Sequence, residues 1–115
     1  MPSVDLSTEA YVHARPEQLA PALTNAALLH DWFPDVQFEV FMDRGSKGTR
    51  WSVQGDLAGS MEVWLEPVGT GTLVHWFVRG EPSGSGRDFS RRCVQLLNAR
   101  MFTFKDEAEQ ARLRP

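Results

Sequence analysis

Apolar or small residues and polar ones alternate strictly at the start of the chain, with Val4, Leu6, Thr8, Ala10 and Val12 set between Asp5, Ser7, Glu9, Tyr11 and His13. A period of two sends successive side chains to opposite faces, so this stretch predicts a strand with one buried face. Arg15-Pro16-Glu17 stops it. Pro16 suits a first helical position, and Leu19, Leu23 and Ala27 with Leu28 then follow at helical spacing. The pattern predicts a short helix that breaks near Thr24-Asn25 and resumes to about Asp31. Pro21 removes an internal hydrogen bond, which predicts a kink or a late start. Trp32-Phe33-Pro34 reads as an aromatic plug closing this helical hairpin.

The period of two then returns. Val36, Phe38, Val40 and Met42 alternate with Gln37, Glu39, Phe41 and Asp43, and Arg44 to Gly48 forms a turn. Thr49 to Gln54 carries Trp51 and Val53 on one face, and Gly55 to Gly59 predicts a break or bulge. Met61, Val63 and Leu65 oppose Glu62, Trp64 and Glu66; after the turn Glu66 to Gly71, Val74, Trp76 and Val78 oppose Leu73, His75, Phe77 and Arg79. Short turns between successive strands imply an antiparallel meander. Glu81 to Gly86 reads as a flexible link. From Arg87 to Arg112 the period changes again: Phe89, Cys93, Leu96, Leu97, Phe104 and Ala108 recur at three- and four-residue steps. At ~1.5 Å per residue this helix runs for nearly 40 Å. No second long helix is available to cover its apolar side, so that side lies on the sheet. The expected fold class is α+β, a curved antiparallel sheet of about five to six strands wrapped on a long last helix.

A chain of 115 residues, 42% hydrophobic and 23% charged, without repeats, fits one compact domain over residues 1–115. Its net charge of −3 argues against a surface that tracks phosphates, so no nucleic-acid partner is expected; Arg87, Arg91 and Arg92 read as a solvated helix end. No stretch approaches the roughly 20 apolar residues of a membrane span, and the alternating N-terminus is unlike a signal peptide. A cytoplasmic protein without integral membrane association is the expectation. Cys93 is the only cysteine and falls on the apolar side of the last helix, where it reads as a small buried hydrophobe.

The runs VHARPEQLAPALTN, LLHDWFP, GTRWSV, EVWLEPVGTGTLVHWFV and MFTFKDEAE resemble, in order and spacing, the hallmarks of the START-like (SRPBCC) superfamily, the helix-grip fold of polyketide cyclases and lipid-transfer proteins. The likeness extends over most of Val4 to Arg112. It implies a cavity between sheet and long helix that takes hydrophobic small molecules such as lipids, sterols and polyketides, with cyclase or dehydratase chemistry in some members. Ala20 stands where such proteins commonly have a tryptophan. About five strands fit where the fuller pattern has six or seven, which implies a smaller or more open grip that a second subunit could complete.

Four tryptophans and seven phenylalanines could serve as core or as the aromatic wall of a pocket. One face of each strand and the opposing helix side give the candidate lining: Trp32, Phe33, Phe38, Trp51, Val53, Met61, Val63, Val74, Trp76, Phe89, Cys93, Leu97 and Phe104. Alternation does not say which face is inside. On this reading Trp51→Ala or Trp76→Ala removes binding and leaves a folded domain. His13, His30 and His75 lack metal-ligand spacing, so no metal is expected. His30-Asp31 beside Trp32 is the one place where an imidazole and a carboxylate share an expected pocket mouth, although a helix C-terminus also favours a histidine. His75 and Arg79 share a strand face on which they polarise a ligand or lie exposed; exposure is the preferred reading, and Arg50, Glu62 and Glu66 read as solvent-face charges. The glycine groups lack phosphate-loop context and read as turns, and no cofactor is expected; GxSxG is absent, so no Ser or Cys sits in a nucleophile elbow. The preferred function is non-catalytic binding of a hydrophobic small molecule. The alternatives are a cyclase or dehydratase using His30 with Asp31 or His75 with Arg79, and a homodimeric interaction module.

Overall fold

The structure, a computed structural model, describes residues 2–112. Strand β1 (Val4–Val12) leads into helices α1 (Pro16–Leu23) and α2 (Ala26–Trp32). Strands β2 (Val36–Asp43), β3 (Gly48–Gly55), β4 (Leu57–Val68) and β5 (Gly71–Pro82) follow, with a single 3-10 turn at Gly45–Lys47, and α3 (Gly86–Arg112) ends the described chain. The sheet has five strands in the order β1-β5-β4-β3-β2, every pair antiparallel. Four consecutive strands thus form a meander, and β1 returns to the free edge of β5.

Each element has a local cause. Pro16 opens α1, and the Gln18 side chain accepts from the Arg15 backbone N–H at 2.9 Å. The helix begins there rather than late, and Pro21 is carried inside it without a break. Thr24 closes it, donating both its backbone N–H and its hydroxyl to the Ala20 carbonyl at 2.9 and 2.6 Å. Asn25 then caps α2 by accepting from Ala27 N–H at 2.8 Å. This interruption resets the helical phase. The buried residues of α2 are Leu29 and Trp32, while Ala27 is exposed and Leu28 half-buried, contrary to the spacing carried over from α1.

Two strand boundaries and the alternation of one strand also differ from expectation. Gly55 does end β3, but β4 begins already at Leu57, which is fully buried. Gly59 lies inside β4 opposite Gly80 of β5. A Cβ on Gly59 would meet the Arg79 carbonyl oxygen at 2.1 Å and one on Gly80 the Ala58 oxygen at 2.3 Å, so only glycine permits this approach of two backbones. β5 continues to Pro82, leaving Ser83 to Ser85 as the whole link to α3. In β2 the alternation fails: the register shifts between Val40 and Met42, and Val40, Phe41 and Met42 are all exposed. The bulge frees Phe41 from the ladder at the sheet edge.

Ser85 starts α3, its carbonyl accepting from Phe89 N–H and its hydroxyl from Asp88 N–H. Phe89, Cys93, Leu97 and Met101 form its buried line at a constant step of four, with Leu96, Phe104 and Ala108 half-buried beside them. Met101, absent from the expected set, completes that line. Near its end the helix is tied to β1: His13 N–H donates to Glu109 Oε2 at 2.8 Å, and Lys105 Nζ donates to Tyr11 O at 2.9 Å and to Glu109 at 2.6 Å. These bonds hold the Glu109 carboxyl below its ordinary pKa, the Lys105 hydrogen bond first.

Candidate functional site

The inner face of the sheet is set by Trp51 and Val53 of β3, Leu57, Met61, Val63 and Leu65 of β4, and Val74, Trp76 and Val78 of β5, all at most 2% exposed. Burial of Trp51 and Trp76 to that degree corrects the expected outcome of their alanine variants. Truncating a fully buried tryptophan costs about 3–5 kcal/mol, a large share of the ~5–15 kcal/mol that holds a domain together. Loss of binding in such variants would therefore report unfolding as much as lining.

The site opens where α2 ends and α3 begins. A cleft of about 240 Å3 is lined by Trp32, Phe33 and Pro34 after α2, Asp35 and Val36 entering β2, Asp56 between β3 and β4, and Phe89, Arg92, Cys93 and Leu96 of α3. Backbone bonds stitch its rim: Asp56 N–H donates to Asp35 O at 2.8 Å and Ser83 N–H to Asp56 O at 3.0 Å, with Ser83 Oγ on Asp56 Oδ1 at 2.8 Å. Apolar side chains form the walls, and Asp35, Asp56 and Arg92 stand at the lip. Behind the wall the rings form a chain. Trp32 meets Trp76 at 5.7 Å between centroids, and Phe33 meets Phe38 at 6.3 Å, which meets Trp51 edge to face at 6.0 Å.

The thirteen expected lining residues thus fall into two groups. Trp32, Phe33, Phe89 and Cys93 line the cleft; Trp51, Val53, Met61, Val63, Val74, Trp76 and Leu97 are packed behind it, with Phe38 and Phe104 half-buried at the edge of the core. Burial pushes the Cys93 thiol up to about 12, so it is a neutral thiol at pH 7 and not a nucleophile. Pro34, Asp35, Val36, Asp56, Arg92 and Leu96 were not foreseen, because they come from loops and a helix shoulder that no single periodicity relates.

The acid/base candidates lie elsewhere. His30 and Asp31 are both exposed and neither lines the cleft, because α2 turns Leu29 and Trp32 inward instead. His75 and Arg79 are on the outer face. His75 is covered rather than exposed: its side chain is 12% exposed, stacked on Trp64 at 4.4 Å and beside Phe77 at 6.1 Å, with Nε2 at 3.0 Å from Glu66 and Nδ1 at 3.4 Å from Glu9. Arg79 faces Asp5 at 3.8 Å near solvent. Glu62 is no free solvent-face charge either, since it pairs with Arg50 at 2.9 Å and Arg44 at 3.1 Å and is 14% exposed. A larger hollow of about 460 Å3 lies here, walled by the Arg79–Asp5 and Arg50–Glu62 pairs together with Phe41 and Phe77. Its charged floor suits an apolar ligand less well than the inner cleft does.

Among the described residues no three His, Cys, Asp or Glu side chains are grouped so as to hold a metal ion, and no helix is long and apolar enough to cross a membrane.

An open antiparallel sheet with two short helices after β1 and a long C-terminal helix on its inner face is the helix-grip fold. Solved structures share it. The Aha1 dimer of Colwellia psychrerythraea superposes with a TM-score of 0.71 at 21% identity, over 92% of this chain and 96% of that one. DR_A0006 of Deinococcus radiodurans gives 0.70 at 16% identity over 94% and 99% of the two chains, and Ara h 8.0201 gives 0.56 at 14% over 93% and 97%. At these identities the likeness is one of fold. No protein-family model and no curated protein matches the sequence.

Proposed function

We propose that this protein binds a hydrophobic small molecule of lipid or polyketide type in the cleft between α2, β2 and α3, without transforming it. The observation that carries this reading is the cleft itself, whose apolar walls are continuous, ring by ring, with the buried aromatic cluster of the inner face. Affinity would come from burial, at about 2.5 kcal/mol per 100 Å2 of apolar surface removed from water. Among the described residues no histidine lines the cleft, which favours a binder over acid/base chemistry by His30 or His75. The test is native mass spectrometry after incubation with a mixture of long-chain lipids and aromatic polyketides. An adduct in the wild type, lost in Leu96→Glu at the half-buried wall, is the expected outcome; no adduct from any component would refute the reading.

A second reading, self-association, rests on a separate observation. β2 is an edge strand, and its contiguous exposed residues Val40, Phe41 and Met42 offer an unpaired apolar edge. The superposable Aha1 protein of Colwellia psychrerythraea is a dimer. Sedimentation across a dilution series tests it: a dimer that dissociates in Phe41→Lys supports pairing through β2, and a monomer at every concentration excludes it.

A further inference from the structure

Among the described residues, two buried side-chain polar atoms have no hydrogen-bond partner. The indole Nε1–H groups of Trp51 and Trp76 are buried, and neither finds an acceptor. Buried donors in folded proteins are nearly always paired, and an unpaired one forfeits its hydration with nothing in exchange. The rings packed on them do not repair this. Phe38 meets Trp51 at 84° and offers at best a ring face, a weak acceptor, while Trp32 is tilted by 52° against Trp76. Neither residue lines the cleft: the Trp76 ring packs against Trp32 of its wall, and the Trp51 ring lies beyond Phe33 and Phe38, where it also borders the outer hollow.

We propose that these two indole N–H groups are the polar anchors of the ligand site, and that the ligand is an apolar molecule carrying neutral oxygen acceptors, such as ketone, ester or ether oxygens. The inference rests on the binding reading above and narrows it. A bare hydrocarbon would leave the donors unpaired. A carboxylate would bring a charge among Val, Leu, Met and aromatic side chains; the cation of the cleft, Arg92, is exposed at its lip. Rotation of the Trp32 or Phe33 side chain admits the oxygen-bearing end of the molecule to an indole N–H, and the rest of the ligand stays against Phe89 and Leu96.

Fluorene and 9-fluorenone share one tricyclic skeleton and differ by a methylene against a carbonyl, so together they isolate the acceptor. Titrated into the 15N-labelled protein, fluorenone is expected to bind about tenfold more tightly than fluorene and to move the indole 1H resonance of Trp51 or Trp76 downfield, which fluorene does not. The Trp51→Phe/Trp76→Phe double variant keeps one aromatic ring at each position, smaller than the indole, and removes the donors; it is expected to lose the preference and bind both probes alike. Equal wild-type affinities, or a tenfold preference that survives in the double variant, would overturn the inference and leave the binding reading standing. If neither probe binds, the inference falls, and the native mass spectra with lipids and polyketides decide the binding reading. Should the double variant fail to fold, the wild-type resonances decide, and indole signals unmoved by fluorenone overturn the proposal.

Discussion

The two faces of the sheet are built from similar residues and behave differently. Trp76 and Phe77 are neighbours in β5; Trp76 points inward and is 1% exposed, whereas Phe77 points outward and is 37% exposed. Inside, Trp51 and Trp76 belong to the apolar core cluster, and their N–H groups have no partner among the described residues. Outside, aromatic rings are interleaved with charges: Trp64, His75 and Phe77 stack along one line, and Glu9, Glu66, Glu62 and Arg50 flank it. An aromatic residue on this fold is thus a core element on one face and a cover for ion pairs on the other. The inner set is the drier one, and it holds the buried donors that have no partner among the described residues.

The sharpest break of that contrast is a pair of adjacent substitutions. Trp76→Ala should lower the free energy of unfolding by about 3–5 kcal/mol, and Phe77→Ala by less than about 1.5 kcal/mol, as read by urea denaturation. Equal losses would mean that the outer stack is a second core. Leu97→Ala, which removes a fully buried contact of α3 with the inner face, should cost about 2–4 kcal/mol by the same measurement.

Glu62→Gln should cost less, about 1 kcal/mol or below, because Arg44 and Arg50 stay partly solvated when their shared carboxylate loses its charge. A smaller effect still is expected at the end of α3. The Glu109 carboxyl is held below its ordinary pKa in the fold, so its contribution is present above the ordinary value and is lost as pH falls through the depressed one. Hydrogen exchange in the last two turns of α3 should therefore rise selectively in that acidic window. The rise should be absent in Glu109→Gln, which already lacks the charge.

Much of this architecture was legible in the chain. The change of period from two to about 3.6 located the strands and the last helix, because those repeats follow directly from backbone geometry. The break at Thr24-Asn25 was legible too, since both residues favour caps. Its effect on phase was not: which of Leu28 and Leu29 is buried depends on the angle at which α2 leaves α1. The β2 bulge at Phe41 was equally hidden, being a property of pairing with β3 and not of β2 alone. Met101 continues the step of four from Leu97, and its burial follows from that same periodicity.

The candidate site divides along the same line. By itself the sequence determined that one face of each strand and one side of α3 would be apolar and aromatic, and it brought Trp32, Phe33, Phe89 and Cys93 forward as lining. Alternation is symmetric, however, and β4 and β5 carry large side chains on both faces. Only the tertiary structure decided which face is covered by α3 and the helical hairpin. It moved His30 and Asp31 away from the cleft, enclosed His75 among residues of β1, β4 and β5, and assembled the mouth from segments more than fifty residues apart. Burial and the pairing of polar groups are properties of neighbours distant in the chain, and packing alone brings those neighbours together.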